Sequence, residues 1–71
     1  MAAVTAEEYI ARFAAALGRP APTQEEFDAI LRLASVAAHA SERKAAPVAC
    51  WLAATAGADL ETARREAEKI G

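Results

Sequence analysis

The segment Pro47–Gly57, PVACWLAATAG, carries no charged side chain and holds the only tryptophan of the chain, Trp51. Proline is favoured in the first turn of a helix, where its missing N–H leaves no hydrogen bond unmade, and glycine commonly follows the last turn. The segment therefore predicts a helix that begins at or near Pro47 and ends at Gly57. Because a helix that is apolar on every side is typical of a protein core, we expect it to lie centrally, with Trp51 buried.

Two helices are predicted before this segment, and both open with the same pattern. A threonine is followed three residues later by a glutamate, as in a capping box: Thr5 with Glu8, and Thr23 with Glu26. We expect the first helix to end at Gly18 and the second at about Ser41 or Arg43. Apolar residues at helical spacing predict a buried face on each helix. On the first they are Tyr9, Ile10, Phe13 and Leu17, and on the second they are Phe27, Ile30, Leu31, Ala34, Ala37 and Ala38, with Leu33 and Val36 widening the apolar arc.

A fourth helix is expected after Gly57, with Asp59 as its N-cap. No stretch of the chain alternates polar and apolar residues as a half-buried strand does. Seventy-one residues leave no room for a second core, and a chain this short is expected to be modestly stable. We therefore predict a single all-α domain over residues 1–71, a compact bundle of four short helices with an apolar central third helix.

Charge and cysteine content exclude several classes of protein. Eight basic residues are interleaved with ten acidic ones, so no basic face for nucleic acid is visible, and the single cysteine cannot form an internal disulfide. The longest charge-free run, Ala45–Ala58, is shorter than the roughly 20 residues that span a bilayer, and the N-terminus lacks the basic region of a signal peptide. We expect a soluble, cytoplasmic protein that binds neither nucleic acid nor membrane.

No group of residues in the sequence has the pattern of a catalytic or metal site. Most glutamates lie in first helical turns, where they complement the helix dipole. Cys50 is best interpreted as a small buried hydrophobe, since the only histidine, His39, is on another helix. One cysteine and one histidine cannot supply the three or four ligands of a zinc site. We expect no enzyme activity, no metal and no cofactor.

The junction between the second and third helices is the least explained segment. Glu42, Arg43 and Lys44 precede a helix that has no Ser, Thr, Asp or Asn at its expected cap. Two hypotheses remain open there. The first amides of the third helix, around Val48, Ala49 and Cys50, bind an anion with help from Arg43, Lys44 and His39, or Glu42 or Ser41 caps these amides within the chain. His39 itself is expected either to bond carbonyls at its helix end or to contact a partner or ligand.

The stretch Leu31–Gly57 resembles the core of an uncharacterised bacterial domain family, seen mostly in actinobacteria. The matching positions are Ala38, His39, Glu42, Arg43, Ala46, Pro47, Leu52 and Gly57, with a weaker match at Ala16, Leu17 and Gly18. Members of that family are similar to a region beside, or fused to, enzymes that attach a guanine nucleotide to molybdopterin. The resemblance implies an accessory part in molybdenum-cofactor maturation. The chain itself has no Gly-rich phosphate loop and no pair of aspartates for a metal.

Three functional hypotheses follow from these observations. The first is a non-enzymatic interaction or accessory domain that binds another protein through the junction, with His39, Glu42, Arg43 and Lys44 as candidate contacts. The second is a module that binds a small anionic ligand or delivers a cofactor at the same junction. The third, an enzyme, is the least supported, because so few groups are available to be desolvated and oriented.

Overall fold

Four α-helices make up most of residues 4–70, the part of the chain that the computed structural model describes. They are α1 (Ala6–Ala16), α2 (Gln24–Ala40), α3 (Ala45–Ala56) and α4 (Leu60–Ile70), and residues 4–70 contain no strand. The predicted all-α bundle of four helices is confirmed. Predicted and observed helix ends differ by about three residues at most, as is usual for boundaries inferred from sequence.

Side chains fix the starting points of three helices. The Thr5 and Thr23 hydroxyls each accept a hydrogen bond, 3.1 Å long, from the backbone N–H three residues on, and the glutamates return the bond to the threonine N–H. Asp59 accepts from the N–H of Thr62 at 3.1 Å. These bonds satisfy amides that have no partner within the helix, and both predicted capping boxes are confirmed.

Two glycines end α1 and α3 in the same way. Gly18 and Gly57 adopt φ angles of +70° and +67°, a left-handed conformation that side chains with a Cβ rarely adopt. The residue after each glycine then donates its N–H back into the last turn, from Arg19 to Ala14 O at 2.9 Å and from Ala58 to Ala53 O at 3.0 Å. This is the Schellman arrangement, and it turns the chain sharply towards α2 and α4.

The centre of the bundle is α2 and not, as predicted, α3. α2 packs against both α3 and α4. Its Leu33 is 2% exposed, and the other buried apolar residue among residues 4–70 is the small Ala53 of α3, at 8%. The reason is geometric, because the wide apolar arc of α2 contacts two helices, whereas α3 contacts its neighbour through small residues on one side only. The prediction of a central third helix is therefore wrong.

The molecule is too thin for any one helix to be surrounded by the other three. The principal extents are 37 × 29 × 18 Å, and the shortest of these accommodates two helix layers packed about 8–10 Å apart. A helix in a two-layer body always has one side that its own chain does not cover. An entirely apolar helix such as α3 consequently exposes apolar side chains here.

The buried face predicted for α1 is mostly exposed. Of its four residues only Ile10 is half-buried, close to Phe27 on α2, while Tyr9, Phe13 and Leu17 are exposed. The rings of Tyr9 and Phe13 stack on each other with centroids 6.5 Å apart. α1 thus packs on α2 by a narrow edge, and the prediction is wrong for three of its four residues. It is also wrong for Leu31 on α2, which is exposed, whereas Phe27 and Ile30 are half-buried.

Trp51 offers a direct check on this arrangement, because it is the only tryptophan and its side chain is 65% exposed. The sequence predicted a buried Trp51 whose replacement by alanine would cost about 3–5 kcal/mol. From the structure we expect Trp51→Ala to change the free energy of unfolding by less than about 1 kcal/mol. In dilute solution the emission of Trp51 should resemble that of free tryptophan in water. An emission maximum shifted well to the blue at the lowest concentrations would contradict the exposed position.

Candidate functional site

The junction between α2 and α3 is a tight turn that uses backbone carbonyls as caps. The N–H of Ala45 donates to Glu42 O at 2.9 Å and the N–H of Ala46 to Arg43 O at 3.1 Å. Lys44 occupies the N-cap position, and no side chain caps the helix there. The predicted cap by the side chain of Glu42 or Ser41 is therefore not what the structure shows, and the first two amides of α3 already have acceptors.

The early start of α3 also changes which amides lie at the helix end. The helix begins at Ala45, two residues before Pro47, so Pro47 is its third residue and contributes no N–H. Ala49 and Cys50 lie beyond the first four residues, where an amide bonds to the carbonyl four residues earlier. The donors that the sequence assigned to an anion site thus belong mostly to the interior of the helix.

The four candidate site residues are exposed and close along the chain, but they do not form a cleft. His39 turns back along its own helix, where Nδ1 lies 2.8 Å from Ser35 O and 3.2 Å from Ser35 Oγ. Lys44 Nζ and Glu42 Oε1 are 3.7 Å apart, and Arg43 beside them is also exposed. Groups that remain hydrated in this way bind small ligands weakly, whereas they serve well at the polar edge of a protein contact.

The side of α3 that faces solvent holds its largest residues. Val48, Trp51 and Leu52 are 57%, 65% and 56% exposed, and with the exposed Thr55 they form what we call the α3 outward face. The hydroxyl of Thr55 donates to Leu52 O at 3.1 Å, so its hydrogen bond is satisfied within the helix. The four positions have the helical spacing i, i+3, i+4 and i+7 and so lie along one stripe.

The opposite side of α3 is built from small residues. Ala53 is buried, and Ala46, Ala49 and Cys50 are half-buried. Small residues let α2 and α3 approach closely, which explains how the helix packs without its bulky side chains. A surface helix ordinarily buries its large residues and exposes its small ones, so α3 has this distribution reversed. The sequence does not reveal which side of α3 is exposed, because the helix is apolar on both sides.

Cys50 lies on the packed side of α3, with Sγ 3.9 Å from the carbonyl oxygen of Ile30 on α2. Burial raises the pKa of its thiol. A thiol that stays protonated at neutral pH is a poor nucleophile and a poor metal ligand. The structure therefore agrees with the interpretation of Cys50 as a packing residue.

The two ends of α3 differ in charge. Arg43 and Lys44 lie at its start, together with Glu42. Beyond its C-terminal end, an open depression of about 620 Å³ is lined by the acidic residues Glu25, Glu26, Asp59 and Glu61, with Arg32 as the only base. Cys50 contacts Ile30, and a second depression is lined by Glu26 of α2 and Ala54 of α3, so the two helices are antiparallel. Carboxylates thus dominate one end of the α2–α3 pair.

Residues 4–70 bring no three His, Cys, Asp or Glu side chains together as a metal-binding group. Within the same residues there is no helix with both the length and the apolar character that crossing a bilayer requires. The described residues expose two apolar groups, namely Tyr9, Phe13 and Leu17 on α1 and the α3 outward face, and only the latter lies on a helix without charged residues.

A comparison with known protein families gives a match that covers nearly the whole chain. Residues 1–70 match the family described as Domain of unknown function (DUF6457). The chain belongs to the DUF6457 family. No curated protein and no solved structure matches this DUF6457 chain. The family description assigns no activity.

Proposed function

We propose that this DUF6457 domain is a non-enzymatic protein-interaction domain whose contact surface is the α3 outward face, with Glu42, Arg43 and Lys44 at its edge. The observation that carries the proposal is the reversed distribution of large and small residues on α3. Exposing Val48, Trp51 and Leu52 to water is unfavourable by about 25 cal/mol for each Å² of apolar surface. A partner that covers this stripe recovers that free energy.

The chemistry of the surface fits a protein partner better than a small molecule. Tryptophan and arginine are enriched among the residues that dominate binding energy at protein interfaces, and charged residues are depleted from interface centres and found at their rims. Trp51 lies within the charge-free stripe and Arg43 at its edge. A small ligand would instead need a concave site that encloses it, and the exposed stripe is convex.

An anionic small ligand or a cofactor held at the junction is the alternative. Arg43 and Lys44 are exposed beside the start of α3, which favours the approach of an anion. Against it, the amides of Ala45 and Ala46 are already hydrogen-bonded to backbone carbonyls. Titration with inorganic phosphate distinguishes the two proposals, because only the anion site predicts a saturable shift of the amide resonances around Lys44.

The resemblance of residues 31–57 to a bacterial domain family links the proposed interaction to molybdenum-cofactor maturation. An accessory domain beside or fused to an enzyme that attaches a guanine nucleotide to molybdopterin would take part in molybdenum-cofactor maturation without catalysing a step. An interaction surface is what such an accessory role requires. This link is supported by the resemblance alone and is tested by asking whether that enzyme is among the proteins the domain captures.

The interaction itself is tested by capture from a lysate of the source organism with tagged protein. Leu52→Asp places a charge on the α3 outward face, and Leu31→Asp is a matched control, since Leu31 on α2 is 55% exposed against 56% for Leu52. We expect wild-type protein and Leu31→Asp to capture the same partner and Leu52→Asp to lose it. Circular dichroism first establishes that all three are folded. A set of captured proteins that Leu52→Asp leaves unchanged would refute the proposed surface.

A further inference from the structure

We propose that the α3 outward faces of two copies of this chain pack against each other, antiparallel, in a reversible homodimer. The inference rests on the proposed function and names the occupant of the same surface. It follows from three properties of the molecule, namely its excess of exposed area, the absence of charge on the stripe and the opposite charges at the two ends of α3.

The exposed area is larger than a chain of this size needs. The solvent-accessible surface is 5577 Å², whereas a monomer of 7.4 kDa is expected to expose about 4,200 Å². The excess of roughly 1,400 Å² is greater than the roughly 800 Å² that each partner buries in an interface of standard size. The excess is spread over the whole molecule, since α1 also exposes Tyr9, Phe13 and Leu17. The α3 outward face is the part of it that we assign to the dimer.

The α3 outward face can pack against the same face of a second copy without charge repulsion. In a two-fold dimer every residue near the axis meets itself or a close neighbour, so a charged stripe would repel its copy. From Ala45 to Ala56 there is no charged residue, and nothing on the α3 outward face opposes like charge. With the axis near the middle of the helix, Val48 of one copy lies towards Leu52 of the other, and both Trp51 rings are covered.

The ends of α3 favour the antiparallel orientation. A two-fold axis perpendicular to α3 brings the start of the helix in one copy to its end in the other. Arg43 and Lys44, whose charge is partly offset by Glu42, then approach the end where Asp59 lies. Glu61 is also at that end, but Arg64 offsets its charge at 3.0 Å. In an antiparallel pair the positive end of each helix dipole also lies beside the negative end of the other, which is favourable. A partner of unrelated sequence has no reason to match both ends, whereas a second copy does so by symmetry.

Sedimentation velocity over micromolar to millimolar concentrations tests the dimer directly. We expect the mass of the wild-type protein to rise from 7.4 kDa towards twice that value, with a blue shift of the Trp51 emission over the same concentrations. Leu52→Asp should remain monomeric, whereas Leu31→Asp should associate as the wild type does. Thr55→Lys is a second variant on the face, because a cation near the C-terminal end of α3 preserves helix stability.

Charge reversal tests the orientation. Lys44→Glu should raise the dissociation constant about two- to fivefold at low ionic strength, with a smaller effect at high salt, as expected for exposed charge pairs. Arg12→Glu on α1 is the control and should change the constant little. If Lys44→Glu and Arg12→Glu raised the dissociation constant equally, the antiparallel arrangement would be overturned. The same would follow if neither substitution changed it.

The remaining outcomes separate this inference from the proposed function. A protein that stays monomeric at all concentrations, yet captures a partner that Leu52→Asp loses, would overturn the homodimer and leave the interaction surface standing. If Leu52→Asp and Thr55→Lys both formed the dimer as readily as the wild type, the assignment of the dimer interface to α3 would be overturned. A monomer whose captured proteins are also unaffected by Leu52→Asp would overturn both.

Discussion

Leu33→Ala should lower the free energy of unfolding by about 2–5 kcal/mol, the range found when a buried leucine is truncated in a well-packed core. Leu33 is 2% exposed and lies on α2, which packs against both α3 and α4. Truncation removes its contacts and leaves a cavity on the packed side of α2. A domain of this size is stable by only several kcal/mol, so a large fraction of the variant should be unfolded at 37 °C.

Urea denaturation followed by circular dichroism measures this effect, at a protein concentration low enough to keep association from contributing to stability. Leu31→Ala is the matched control, because Leu31 is on the same helix and exposed, and its loss should cost less than about 1 kcal/mol. Equal midpoints for Leu33→Ala and Leu31→Ala would show that α2 does not pack as the central helix.

Ala53→Leu should lower stability by about 1–3 kcal/mol, although it adds apolar volume. Ala53 is buried at 8% exposure on the side of α3 that is built from small residues. A leucine there would force α2 and α3 apart or adopt a strained rotamer. For a domain of this length the melting temperature should fall by roughly 5–20 °C.

The neighbouring position provides the control. Ala54 is exposed, so Ala54→Leu has room for its side chain and should change stability by no more than about 0.5 kcal/mol. Thermal denaturation of the two variants compares the same substitution at a buried and at an exposed position of one helix. If Ala53→Leu were as stable as Ala54→Leu, the close approach of α2 and α3 through small residues would be wrong.

The site residues were only partly predictable. The sequence singled out the junction because the third helix has no capping side chain, and the structure bears out that observation at Lys44. It could not reveal that backbone carbonyls of Glu42 and Arg43 take over the capping role, since this depends on the conformation of the turn. The α3 outward face was missed altogether, because Trp51 was assigned to the core on the strength of its neighbours' hydrophobicity.

Local interactions are what the sequence by itself determined. The capping boxes at Thr5 and Thr23, and the turns at Gly18 and Gly57, each involve residues within about six positions of one another, so residue type and spacing suffice to predict them. These signals set the number of helices, their approximate ends and the all-α class. They carry no information on which helices become neighbours.

Only the tertiary structure decided which helix is central and which side of α3 is buried. Hydrophobic burial has no direction of its own, so a helix that is apolar all round can turn any side to its neighbour. In this chain the close approach of α2 selects the side with Ala53 and leaves Trp51 in water. The surface that we propose as functional therefore results from packing between helices, which no pattern within α3 encodes.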